Sequence, residues 1–80
     1  MSLLWFSPNV PVRTSVGQCY NCNNVQGAIT ELLKWSKRGP KWQIAADLCI
    51  DALDHKVRPE IVRDAFREAA EEEGVLLPKL

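Results

Sequence analysis

Cys19 and Cys22, three residues apart, are the first residues in this chain whose types and spacing could do chemistry. Thiolates at that spacing can grip one zinc ion where the residues between them turn tightly, and tetrahedral zinc needs two more ligands. Only Cys49 and His55 offer them, six residues apart around the end of an apolar segment, and no second Cys-x-x-Cys follows. If residues 19–22 form extended strand, the odd separation instead sends the two thiols to opposite faces of a sheet. A redox dithiol is the other chemistry open to the pair, since a helix start near Cys22 would lower a thiol pKa. Such dithiols usually place the first cysteine at the helix start within a thioredoxin-like βαβ unit, and the segments here run in a different order. Cys49, flanked by apolar positions, reads most simply as a small buried hydrophobe. The four residues are metal candidates without a convincing ligand set, and no cofactor is expected.

The second constellation is cationic. Lys34, Lys37, Arg38 and Lys41 stand beside Trp35 and Trp42 with no acid among them. Basic charge interleaved with aromatic rings can hold phosphates and stack bases. The simpler expectation is that these cations close a helix C-terminus and solvate a turn while both indoles fill the core. Glu71, Glu72 and Glu73 form an acidic run that is either a solvated face or a docking patch for a basic partner. His55, between Asp54 and Lys56, is expected to be a cation at a helix end rather than a catalytic base. No serine sits in a nucleophile-elbow context and no glycine-rich loop cradles a phosphate, so the expected function is not enzymatic.

The elements that must position these residues follow from periodicity. Val10-Pro11-Val12-Arg13-Thr14 and Gln18-Cys19-Tyr20-Asn21-Cys22 flank Ser15-Val16-Gly17, which predicts a β-hairpin. Pro8 and Pro11 lack backbone donors and confine the first strand to an edge, or to a short run beyond Pro11. Val25, Ala28, Ile29, Leu32 and Leu33 then recur with helical spacing, predicting a helix over about residues 24–36 with Asn23 as its cap and Gln26 completing a capping box. Gly39 and Pro40 end that helix and open a second over about residues 40–54. Its apolar residues, Trp42, Ala45, Ala46, Cys49 and Leu53 together with Ile44, Leu48 and Ala52, leave only a narrow polar face. A helix of this kind is either central in a fold or shared with a partner. Ile61, Val62, Ala65, Phe66 and Ala69 give a third helix one clean stripe, closed by Gly74 with Val75 placed for a Schellman-type contact. Residues 76–78 either add a short strand beside the hairpin or remain a tail.

Eighty residues and 9.0 kDa suit one α+β domain, expected over residues 1–80, with 1–6 as an N-terminal extension, in part an expression remnant, and 75–80 as a C-terminal tail. A chain of this size buries only about 60% of the surface its unfolded form exposes, which leaves room for a binding surface and little for an active site. Ten Lys and Arg balance ten Asp and Glu, against a generally basic nucleic-acid binder. That zero hides four cations within residues 34–41 and four acids within 68–73, a polarity that could orient a partner. An odd cysteine count, no secretory leader and no apolar run near 18 residues predict a cytoplasmic, thiol-reduced protein that does not span a membrane.

A set of residues running nearly the whole chain, from about Trp5 to Gly74, carries a family resemblance. It comprises Pro11-Val12, Ala28, Leu32-Leu33 and Trp35, then Gly39, Trp42, Ala45, Cys49 and Ala52-Leu53, and finally Val62-Arg63, Ala65-Phe66, Ala69 and Gly74. In that order and spacing the chain resembles the alphaproteobacterial small-protein family known as domain of unknown function 982, frequent in rhizobia. Ser36 departs from the family's usual proline after the tryptophan, and the Cys19/Cys22 pair lies outside the pattern. The resemblance implies a small α+β domain in a bacterial cytoplasm and transfers no catalytic or binding residue.

The leading expectation is a protein-interaction or self-associating module, a homo-oligomer or the partner of another protein. Weak nucleic-acid binding through Lys34, Lys37, Arg38 and Lys41 is the alternative, and a zinc or redox site at Cys19/Cys22 the second.

Overall fold

The computed structural model describes residues 3–15 and 17–77; Met1, Ser2, Val16 and residues 78–80 lie outside it. Its order is β1 (Trp5–Ser15), β2 (Gln18–Asn24), α1 (Val25–Lys34), α2 (Pro40–Leu53) and α3 (Pro59–Glu73), an α+β fold with a hairpin leading three helices.

The strands pair antiparallel from Val10↔Cys22 to Arg13↔Cys19, and Val10, Val12 and Cys22 turn inward to the core. Register shifts interrupt the ladder twice. Between Trp5↔Asn24 and Val10↔Cys22, five steps along β1 answer two along β2, and Pro8, which has no N–H to donate, falls inside the irregular stretch. Between Arg13 and Ser15 one further residue, Thr14, is accommodated. Gly17, with φ 75°, takes the left-handed conformation that the turn into β2 requires.

Both chain ends are tied to the hairpin, the C-terminal one as the short added strand that was one of the two expectations for it. Of the N-terminal extension expected over residues 1–6, Met1 and Ser2 lie outside the described residues, while Leu4 accepts the Val25 N–H at 2.9 Å, β1 starts at Trp5, and Phe6 is buried. At the other end Leu76 bridges Val12, while Arg13 donates to Val75 O and Leu77 donates to Pro11 O. The C-terminal segment therefore runs along β1 as far as Leu77; Pro78 lies outside the described residues. β1, apart from Pro8 and Pro11, still carries donors and acceptors on its free edge, and pairing satisfies them.

The cap of α1 is Asn24, one residue after the expected Asn23. Asn24 remains extended at φ −153° as the last residue of β2, and its Oδ1 accepts the Gly27 N–H at 2.6 Å. Gln26 has a different role from a capping-box partner: its Oε1 accepts the Leu4 N–H at 3.0 Å. Gly27 is needed for close approach, since a Cβ there would lie 2.1 Å from the Tyr20 hydroxyl. α1 ends at Lys34, short of the expected Ser36, because Trp35 turns extended at ψ 146° and directs its ring into the core. There it stacks on Phe66 of α3, with centroids 5.3 Å apart.

α3 closes as expected. Gly74 adopts φ 83°, and the Val75 N–H donates to Ala70 O at 3.0 Å in the six-residue Schellman bond. α2 lies outermost, packed on α3 and α1, and buries Ala45, Cys49 and Ala52. Of its other large apolar residues, Ile44, Ile50 and Leu53 are exposed, while Trp42 and Leu48 are half-buried against the core.

Candidate functional site

The cationic turn and the acidic end of α3 are adjacent in space, although the sequence separates them by some thirty residues. Lys41 Nζ lies 3.0 Å from Glu68 Oε1, and its backbone N–H donates to Glu72 at 3.2 Å. Glu73 accepts from the N–H groups of Ser36 and Lys37 at 3.4 and 3.2 Å. The expected polarity between the two patches is thus corrected: they meet and largely cancel. The physical reason is the antiparallel course of α2 and α3, which brings the α3 C-terminus beside unpaired amides at the start of α2, where carboxylates are favoured.

The other cations of the turn are also engaged within the chain. Lys34 pairs at 2.9 Å with Glu31, whose carboxylate also accepts from the Thr14 hydroxyl at 3.2 Å. Glu31 is only 4% exposed, and its Oε1 has no partner among the described residues. Arg38 donates from Nε to Trp35 O and from Nη2 to Leu33 O, closing the C-terminus of α1, and its guanidinium carbon sits 4.9 Å from the Trp42 ring centroid. Lys37 alone of the four has no recorded side-chain partner among the described residues. With three of four cations committed internally, the turn holds little free charge for phosphates.

The cysteines are placed by the hairpin. Cys19 opposes Arg13 and is exposed, whereas Cys22 opposes Val10 and is buried, the opposite faces that their odd separation predicts. Cys22 donates to Asn24 O at 3.6 Å, and burial pushes its pKa to about 11. Cys49 is buried on α2 and pushed to about 12, first by burial and then by the nearby Cys22. Desolvation raises the Tyr20 hydroxyl as well, with the neighbouring Cys22 next in weight. Neither buried thiol is poised as a nucleophile, because each holds its proton well above neutral pH. His55 lies beyond the last turn of α2 and is exposed. Among the described residues, no three His, Cys, Asp or Glu side chains group as a metal site.

His55 has instead a backbone role. Its φ is 61°, and the following Lys56 N–H donates to Asp51 O at 2.8 Å, so it occupies the left-handed position where a helix end ordinarily takes glycine.

The feature that sequence reasoning did not locate is a groove between α1 and α2. Ile29, Leu32, Leu33, Trp42, Ala46 and Ile50 line a recess of about 210 Å³. Trp42 forms part of its wall while packing half-buried against the core, and its indole N–H donates to Leu32 O at 2.7 Å. Leu33 is 61% exposed and Ile50 57% exposed. The excess apolar character of α2 signalled such a face, but the pairing of α1 with α2 was needed to locate it.

A hairpin closed by the C-terminal segment, with α2 outermost and an apolar seam against α1, defines a compact class of small α+β protein. Within that class the chain belongs to the family described as protein of unknown function DUF982, whose model matches residues 10–77. Comparison with curated proteins and with solved structures finds no match. No helix among the described residues is long and apolar enough to cross a membrane.

Proposed function

We propose that this protein is a non-enzymatic interaction module that acts in the cytoplasm and docks another polypeptide on the groove between α1 and α2. The observation that carries the reading is the exposure of Leu33 and Ile50 on the two rims of a recess lined by apolar residues. Single exposed apolar side chains are ordinary on protein surfaces, but large ones grouped around a concavity mark interaction sites. The committed cations and the protonated buried thiols lend support by contrast, since neither supplies free charge or a nucleophile. A photo-crosslinking residue at Leu33, compared with one at the exposed Glu60 on α3, tests this in the native cell. An adduct to a defined polypeptide from position 33 and none from 60 is expected. Equal labelling from both, or none from either, would overturn the reading.

A further inference from the structure

We infer that the outer edge of β2 pairs antiparallel with β2 of a second copy of the chain, about a two-fold axis at Tyr20. The inference goes beyond the groove reading and uses none of the groove's residues. It starts from the directions of the hairpin's backbone groups. Arg13 donates to Val75 O at 2.9 Å and Leu77 donates to Pro11 O at 3.0 Å, so Pro11 and Arg13 turn their backbone groups away from β2. Their partners in the ladder, Asn21 and Cys19, therefore form non-hydrogen-bonded pairs with β1 and turn their own N–H and C=O groups outward. Among the described residues nothing bonds to the main chain of either. The two edges of the hairpin are thus finished differently. On β1, Pro8 and Pro11 have no N–H, the extra residues at both register irregularities fall on that strand, the C-terminal segment covers Pro11 and Arg13, and Arg63 donates to Ser7 O. Prolines, bulges and covering segments are the devices by which edge strands avoid pairing with other chains. β2 has none of them: its 7 residues, Gln18 to Asn24, include no charge and no proline.

A bare edge fits an extended strand, and the spacing of its free groups suits the same strand from a second copy. Cys19 and Asn21 flank Tyr20, so a two-fold axis at Tyr20 sets Cys19 of each copy opposite Asn21 of the other. Each such pair exchanges two N–H···O bonds, and every outward group at these positions is satisfied at once. No like charges meet, since neither residue is charged, and the two half-buried Tyr20 rings become neighbours across the axis. A foreign strand could fill one edge, but only a second copy brings an equally bare edge that the pairing closes in return.

Analytical ultracentrifugation of the full chain at protein concentrations from about 1 µM to about 1 mM tests this, with circular dichroism to verify folding of each variant. The expected result is a monomer–dimer equilibrium. Asn21→Pro deletes an N–H that has no intrachain partner, twice per dimer, and should weaken association roughly a hundredfold. Cys19→Lys/Asn21→Lys spares every backbone bond but sets like charges opposite each other, and should weaken it roughly tenfold at low salt; it reads the same edge if the proline variant does not fold. Under mild oxidation Asn21→Cys should give a covalent dimer through Cys19 of the other copy, because a hydrogen-bonded pair holds its Cα atoms about 5.5 Å apart. The unmodified chain should give none, since its two Cys19 residues are staggered along the strands beyond the roughly 7 Å reach of a disulfide. A strict monomer at the highest concentration overturns the pairing. A dimer indifferent to the folded edge variants overturns β2 as the interface. A dimer weakened by them that gives no covalent product from Asn21→Cys, or gives it as readily from the unmodified chain, overturns the axis at Tyr20.

Discussion

Glu73, on the last turn of α3, accepts the backbone N–H of Lys37 at 3.2 Å across 36 residues of chain. With Glu72 on Lys41 and Glu73 also on Ser36, the α3 terminus serves as a cap for a turn that has no side-chain cap of its own, since α2 opens on Gly39.

Removing both acids should therefore destabilise the fold, although it relieves unfavourable charge at a helix C-terminus. The dipole relief is a few tenths of a kcal/mol, whereas loss of capping at a helix start costs about 1 kcal/mol. Glu72→Ala/Glu73→Ala is expected to lower the urea midpoint with an unchanged slope, and a midpoint at or above wild type would show that the amides are equally well served by water.

The thiols predict an alkaline weakness. Cys22 and Cys49 ionise in the folded chain at about 11 and about 12 against 9.0 for an unperturbed thiol. Both folded values are raised, so their contribution is full below about pH 9 and is lost as pH rises from there to 11 and 12. The unfolded chain releases those protons first, and the slope is about 1.4 kcal/mol per pH unit for each thiol while the two states differ. Tyr20, also raised, acts in the same direction. Denaturant titrations between pH 8 and 11 should show this decline, reduced in Cys49→Ala after allowance for its own cost at neutral pH.

Thiol exposure separates the three cysteines at neutral pH. Cys19 should react at once with an aromatic disulfide reagent, while Cys22 and Cys49 should react only as fast as the chain opens. Fast release of two or three equivalents from the native protein would contradict the buried placement.

His55 should be improvable. A left-handed residue other than glycine costs about 1–2 kcal/mol, and the imidazole makes no hydrogen bond or ion pair among the described residues that offsets this. Glycine gives part of the gain back through its freer unfolded chain, leaving a stabilisation of about 1 kcal/mol for His55→Gly, read as a rise in melting temperature. A fall would mean that His55 makes a stabilising contact in solution.

Gly27 and Tyr20 should be coupled. Alanine is the better helix former, but its Cβ would meet the Tyr20 hydroxyl at 2.1 Å, so Gly27→Ala should destabilise. Removing that oxygen with Tyr20→Phe should recover about 1 kcal/mol in the double variant. Strict additivity in a thermal denaturation cycle would rule the contact out.

Local rules determined much of this protein. The hairpin, the three helices, the Gly74 cap with Val75 and the opposite faces of Cys19 and Cys22 all follow from alternation, helical spacing and backbone stereochemistry, which act over a few residues. The cap at Asn24 rather than Asn23 shows the limit, since only pairing with β1 decides how far β2 runs before the helix can start. What tertiary structure alone decided are relations between distant segments: the C-terminal residues laid along β1, Glu72 and Glu73 folded back onto the cationic turn, and the apolar flank of α2 joined to α1 as one groove. Helical spacing says which residues share a stripe, but the direction a stripe faces depends on how helices pack, and that is a property of the whole chain.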